Sequence, residues 1–294
     1  MFSGYNLIEF QECFNSNQIC LEHLSALKWR HGFVCQRCSN TSSSRVKDTL
    51  NRKCNRCKHI HSPTSGTLFH RCKIPLTKAF LMVFLVVTEK KGVSSCSLSR
   101  RLSIRQKTCY LFKRKVSAAL VQGDIELDEG KIDVDDSYLG GYEKGKQGRS
   151  RGKKKLFLLA IEKKGNGISR IAAKTVHSMA KNEVEPFFEK HIPTTAKVRT
   201  DKHKTYTSIK GYPEMEQEES IPGKNFRLLH RQIQQIKSTI RGIQHSVRHL
   251  QPYLDEICFR FNNRLNDNIF TLAIENMVKN PPIYAQYINS YWGN

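Results

Sequence analysis

The chain has 294 residues and carries 49 Lys and Arg against 26 Asp and Glu, a net charge of +23. That length leaves room for two or three compact units, and the cationic excess points to a polyanionic partner. The most apolar run, Ala79–Val87, is nine residues, far too short to span a bilayer. With no signal peptide or lipidation motif, a cytoplasmic protein without a membrane partner is expected.

The charge is uneven. Residues 1–120 hold 21 basic and 5 acidic side chains, and residues 121–294 hold 28 and 21. The N-terminal part is therefore expected to bind nucleic acid. Of ten cysteines, six stand singly and four form two Cys-x-x-Cys pairs, which argues against a disulfide scaffold and for metal ligands.

Residues 1–30 show apolar positions at helical spacing (Leu7, Phe10, Phe14; then Leu21, Leu24, Leu27), broken near Asn15–Asn17, and read as two short helices. In residues 31–73, Cys35-Gln-Arg-Cys38 and Cys54-Asn-Arg-Cys57 are separated by fifteen residues. This spacing lets two tight turns present four thiolates to one Zn²⁺, and four thiolates leave no open position, so the zinc of this ribbon is structural. Thr41–Arg45 suits the hairpin tip. His59, His61 and His70 lie nearby and could substitute as ligands, but are read as exposed loop histidines.

Residues 74–122 predict three helices: one carrying Phe80–Val87 and ended by Gly92, a short one over Ser95–Leu102, and a third through Leu120. A capping box at Ser103-x-x-Gln106 is expected to open the third. It would offer Arg105, Lys107, Tyr110, Lys113 and Arg114 to DNA as in a helix-turn-helix. A plain three-helix bundle with a solvated basic face fits the spacing equally well. Between Arg30 and Lys115, however, the only acids are Asp48 and Glu89, and that one-sided charge favours DNA.

From residue 123 the character changes. Lys131–Tyr142 contains a short strand whose alternation puts Asp133 and Asp135 on the face opposite Ile132 and Val134. Gly140–Lys155 is a basic, glycine-rich loop, and its Arg149 and Arg151 are candidates for clamping DNA. Lys155–Lys163 and Gly167–Val176 predict a hairpin. A helix capped by Asn182 follows, then a strand, Ala196–Thr200, ending at Asp201. Acids on the first strand and just after the fourth suit a ribonuclease-H-like α/β domain over residues 123–275, with a tail at 276–294. Two carboxylates that close need a cation, and an Mg²⁺ pair would meet that need. From Asn225, Phe226, Leu229, Ile233, Ile236, Ile240 and Ile243 form a buried helical stripe. His230 and Lys237 lie two turns apart beside it, roughly 10 Å by helix rise. Glu256, Arg260 and Arg264 share one face of the last predicted helix.

This combination resembles the ISXO-type, zinc-ribbon insertion-sequence transposases of bacteria, related to Merlin elements. The resemblance is carried by the four ribbon cysteines, Lys90–Ser94, Val134–Gly141, Thr200-Asp201, Leu229-His230 through Ile236-Lys237, Arg241–His245 and Tyr253–Arg264. It implies a DDE-type transposase that binds the terminal inverted repeats of its element as double-stranded DNA. Such an enzyme cleaves and transfers strands with Mg²⁺ or Mn²⁺, as a homodimer, in the cytoplasm beside the nucleoid. Asp135 and Asp201 would be metal-binding acids, with Asp136 or Asp133 as alternatives to Asp135. His230 would stand in the third ligand position, with Gln235 close to the same signature, and Lys237 would contact phosphate. The alternative is an inactive, domesticated DNA-binding protein.

Overall fold

The structure is a computed structural model that describes residues 6–121, 127, 128, 130–140, 154–221, 223–243, 247, 249–284 and 288. The chain divides into two compact units, Met1–Leu120 with Arg264–Asn294, and Val121–Asn263.

The first unit opens with α1 (Leu7–Cys13), whose N-cap Asn6 accepts from the Ile8 and Glu9 amides, and α2 (Asn17–Lys28), capped by Ser16. These caps satisfy first-turn N–H groups, which explains the break between the helices. Three short antiparallel strands follow: β1 (Ser43–Arg45), β2 (Arg52–Cys54) and β3 (Ile60–His61). Next come α3 (Leu76–Thr88), α4 (Ser95–Leu102) and α5 (Gln106–Ala119). Helix α3 is buried along most of its length, from Ala79 through Val87.

The expected capping box does not form. Ser103 adopts a left-handed conformation (φ +52°) as the C-cap of α4, and its N–H bonds to the Ser99 carbonyl. Helix α5 therefore starts two residues later than a cap at Ser103 requires, with Arg105 at its N-cap, and the Gln106 amide donates to Ser95 Oγ at 2.7 Å.

The second unit is built on β4 (Lys131–Leu139), β5 (Lys155–Lys164), β6 (Gly167–Val176), α6 (Lys181–His191), β7 (Lys197–Thr200), α7 (Lys204–Thr207), β8 (Met215–Gln217), α8 (Arg227–Ile243) and α9 (Gln251–Asn262). Its sheet has the order β6-β5-β4-β7-β8. β4, β5 and β6 are antiparallel neighbours, whereas β7 runs parallel to β4 and β8 parallel to β7. The first and fourth strands thus lie side by side. Asn182 does not cap α6, which has Ala180 at its N-cap and no side-chain cap bond.

Strand alternation sorts the two faces. Ile132, Val134, Leu158, Ala160 and Ala172 share a core with Val184, Phe187 and Phe188 of α6. Phe157, Leu159, Ile161 and Ile171 pack with Leu229, Ile233, Ile236 and Ile240 of α8 and with Leu254 and Cys258 of α9. Asp133 and Asp135 alternate with Ile132 and Val134, so they project toward the α8 face.

Strand β6 is an edge, and side chains of α9 cap its backbone. Asn262 accepts from Ile171 N at 2.8 Å and donates to Ile171 O at 2.9 Å. Gln251 accepts from Thr175 N at 2.7 Å and donates to Ala173 O at 3.3 Å. Both amides take the place of a neighbouring strand and block edge-to-edge pairing. Asn262→Ala strands an N–H and a C=O under the helix, and should lower unfolding stability by about 1–3 kcal/mol in a urea titration.

Asp255, one turn after Gln251, accepts from its amide at 2.8 Å. Burial pushes the Asp255 carboxyl up to about 7, against the Gln251 hydrogen bond and the charge of Lys190. Between pH 4 and pH 7 the folded state therefore holds a proton that the unfolded state has lost, and stability falls as pH rises through that window. Asp255→Asn should remove that slope. The variant should gain on the order of 2 kcal/mol over wild type at pH 8 and little at pH 4, read by denaturant unfolding at the two pH values.

The last helix, α10 (Ile269–Lys279), belongs to the first unit. Its Phe270 meets the Phe10 ring edge-on at 5.1 Å, and its Met277 carbonyl accepts from Leu68 N at 3.0 Å. The expected boundary at residue 275 falls inside this helix. Among the described residues, no helix is long and apolar enough to cross a membrane.

Candidate active site and zinc centre

The ribbon cysteines sit on two knuckles of the same backbone form. Cys35 N bonds to Asn40 O and Ser39 N to Cys35 O; Cys54 N bonds to His59 O and Lys58 N to Cys54 O. The fourth residue after each first cysteine is left-handed, Ser39 at φ +56° and Lys58 at +60°. The result gathers the Cys35, Cys38, Cys54 and Cys57 sulfurs within 4.8 Å of one another. Burial works against the Cys54 thiolate, but the Cys57 and Arg56 N–H groups and the neighbouring thiols outweigh it, bringing its pKa down to about 6. Four thiol groups at this spacing, one already acidic, fit Zn²⁺.

His61 departs from its expected exposure. It is buried, and its Nε2 lies 3.4 Å from Cys35 Sγ. Burial, with the charges of His59 and Lys28, lowers its pKa. A neutral imidazole here can donate to the thiolate, as outer partners of metal ligands do. His59 is exposed and His70 half-buried.

On α5 only the N-terminal half matches the expected DNA face. Arg105 and Lys107 are exposed, and Tyr110 is half-buried. Lys113 and Arg114 are buried, contrary to expectation. Lys113 Nζ donates to the Val93 carbonyl at 2.7 Å, and Arg114 stacks 5.2 Å from the Tyr110 ring centroid while its Nε donates to Tyr110 Oη at 3.2 Å. Long aliphatic stems let such cations pack inward while the head finds a carbonyl or hydroxyl. Arg149 and Arg151 lie outside the described residues.

In the second unit the parallel register pairs Val134 with Thr200. The next residue along each segment, Asp135 on β4 and Asp201 just past the end of β7, is therefore an aspartate. Carboxylate oxygens of Asp135, Asp136 and Asp201 lie within 4.8 Å of one another. Asp135 Oδ1 accepts from Asp136 N at 2.8 Å, and Asp201 Oδ1 accepts from His203 N at 3.0 Å. Three carboxylates this close repel unless a cation lies among them, and an all-oxygen set of this kind suits Mg²⁺ or Mn²⁺.

Asp133 is not part of this group. Its carboxylate is buried and held by Lys163 Nζ at 2.8 Å and by Arg199 Nε and Nη2 at 3.1 and 3.0 Å. Asp136, weighed in the sequence as a substitute for Asp135, instead joins it.

His230, in the first turn of α8, reaches the cluster through Asp135, with Nε2 to Oδ2 at 3.8 Å, and its Nε2 is also 3.0 Å from Ser220 Oγ. Lys237 shares that face of α8. Burial lowers its pKa, Arg241 adds to the effect, and the charge of Asp135 opposes it. The site is thus three acids, an imidazole and a partly desolvated ammonium. Sequence reasoning did not single out Ser220 or Arg199. For Arg199 a signal existed, because it precedes Asp201 by two residues as Asp133 precedes Asp135.

The fold and site define a two-unit protein, a four-cysteine ribbon in one unit and a mixed α/β domain with an acidic metal-type centre in the other. Two stretches of the chain are similar to the transposases of the ISXO2-like group. Residues 127–262 match the model of the ISXO2-like transposase domain, and residues 15–60 match that of the transposase zinc-ribbon domain. A relative described as an uncharacterized protein in transposable element ISH50 of Halobacterium salinarum is 27% identical over 136 residues, 44% of this chain and 45% of the relative. The chain therefore spans less than half of that relative's length. Two solved structures align weakly. A simian T-cell lymphotropic virus intasome with PP2A regulatory subunit B56 gamma has 9% identity and a TM-score of 0.26, covering 72% of each chain. A pre-cleavage Mos1 transpososome has 8% identity and a TM-score of 0.26, covering 70% of this chain and 79% of the other. Likeness at that level says nothing about fold or partner.

Proposed function

We propose that this protein is a transposase that binds the double-stranded ends of its element and cleaves and joins DNA strands at the Asp135–Asp136–Asp201 centre, in a ribonuclease-H-like domain. The observation that carries the reading is the approach of these carboxylates within 4.8 Å at adjacent parallel strands of a transposase-like domain. When bound there, divalent ions supply charge neutralisation, an activated water and stabilisation of the leaving oxygen. Asp135 and Asp201 hold them, with Asp136 contributing the third negative charge. His230 adds a nitrogen donor beside Asp135. Lys237, two turns along α8, neutralises phosphate next to the scissile bond.

The zinc ribbon and the α4–α5 pair, read as a helix-turn-helix, supply the DNA contacts, with Arg105 and Lys107 at the exposed start of α5. Holding two element ends calls for a homodimer. An imidazole accepts Mn²⁺ more readily than Mg²⁺, so Mn²⁺ should support cleavage better than Mg²⁺ across a concentration series. Equal activity with both would remove His230 from the ligand set. The test of the function is incubation with DNA carrying the element ends and either metal, followed by mapping of nicks. Metal-dependent nicks at the end support the enzyme. An imidazole in the third ligand position adds no negative charge and also suits an inactive DNA-binding protein, and tight end binding without nicks under either metal would favour it.

A further inference from the structure

Arg199 of β7 stands at the centre of a network that ends on His230. Its Nε and Nη2 grip both oxygens of Asp133, while Nη1 donates to Glu218 Oε2 at 3.1 Å. Its guanidinium carbon lies 4.3 Å from the centroid of the Phe226 ring. Phe226 is left-handed, with φ +50°. That conformation is unfavourable for a bulky residue, and it persists where surrounding contacts over-determine it. The Phe226 carbonyl accepts from His230 N at 2.9 Å, and its ring lies 6.2 Å from the imidazole.

A second route passes through Glu218. Its Oε1 accepts from Asn225 Nδ2 at 2.8 Å, and Asn225 Oδ1 accepts from Ile221 N at 2.8 Å. Asn225 Nδ2 also donates to Glu219 O at 2.7 Å. These bonds fix the backbone on both sides of Ser220, whose hydroxyl meets His230 Nε2.

We infer that Arg199 is a positioning residue for His230, setting the first turn of α8 through Phe226 and setting Ser220 through Glu218 and Asn225. The inference rests on the reading of His230 as a metal ligand. It assigns Asp133, on the same strand as Asp135, the role of anchor. Only a planar fork does all of this at once; a Lys at this position keeps a charge for Asp133 but loses the second arm and the stacking face.

The test is calorimetric titration of Mn²⁺ into the zinc-loaded full chain, comparing wild type, Arg199→Lys, Arg199→Ala, His230→Ala and the Arg199→Lys/His230→Ala double variant. Arg199→Lys retains a cation beside Asp133, so it reports on positioning even if Arg199→Ala folds poorly. Arg199→Lys should weaken Mn²⁺ binding about tenfold, the scale of losses on removing groups that orient a ligand. In the His230→Ala background the same change should alter affinity by less than about twofold, because the group being positioned is gone. An equal loss in both backgrounds, or no loss in the single variant, overturns the positioning role while leaving His230 a ligand. If His230→Ala itself leaves Mn²⁺ affinity unchanged, the ligand reading fails and the inference falls with it.

Discussion

Asp135→Asn is expected to slow metal-dependent strand cleavage by about a thousandfold or more, roughly 4 kcal/mol of barrier, while binding to the element ends is retained. The amide preserves shape and removes one of three charges from a group whose oxygens lie within 4.8 Å. Asp201→Asn should behave alike, because the register places it beside Asp135, just past the end of the neighbouring strand. Asp133→Asn is the informative contrast. Its carboxylate is occupied by Lys163 and Arg199, so its loss should appear first as stability, on the order of 2 kcal/mol. The two cations keep some access to water, which limits the cost of leaving them unpaired. Gel-resolved cleavage rates and urea midpoints for the three variants separate the roles. A cleavage loss in Asp133→Asn as deep as in Asp135→Asn, at unchanged stability, would reverse the assignment.

Removing zinc should unfold the ribbon. Its strands are two or three residues long, and its core is little more than Trp29, Phe33, Cys35 and Cys54. A core that small does not offset the entropy of ordering the segment, so the metal's binding free energy, about 10 kcal/mol or more, is its folding free energy. Trp29 reports on this directly, since Lys28 and Arg52 flank its ring at 5.3 and 5.0 Å. In a Trp292→Phe background, chelation or Cys54→Ser should red-shift the remaining tryptophan emission. An unshifted spectrum after complete zinc removal would show that the ribbon folds without metal.

The sequence announced the features that are local or periodic. Two Cys-x-x-Cys pairs need only their spacing to be read as a metal knuckle pair, and β4 to β7 follow from alternation and from the turn at Gly165. The pairing of Asp135 with Asp201 then follows from strand order. Other features depend on tertiary context. β8 is three residues long and exists through its parallel bonds to β7. α10 returns to the first unit through aromatic contacts that no local pattern encodes. Lys113 and Arg114 look like surface residues by charge, yet their heads find Val93 O and Tyr110 inside the helical packing. Ser103 carried a capping pattern, but the tight turn after α4 took it as a C-cap instead. The role of Arg199 became visible only with the register of β4 and β7, which sets it opposite Asp133.

The most direct test is of the acidic centre as a metal site. Mn²⁺ is titrated into zinc-loaded wild type and Asp201→Asn, and free ion is followed by electron paramagnetic resonance. Saturable binding by wild type, lost or strongly weakened in the variant while its fold and zinc content are unchanged, is the predicted result. Equal binding by both proteins, or none by wild type, would contradict a catalytic metal centre built on Asp135, Asp136 and Asp201.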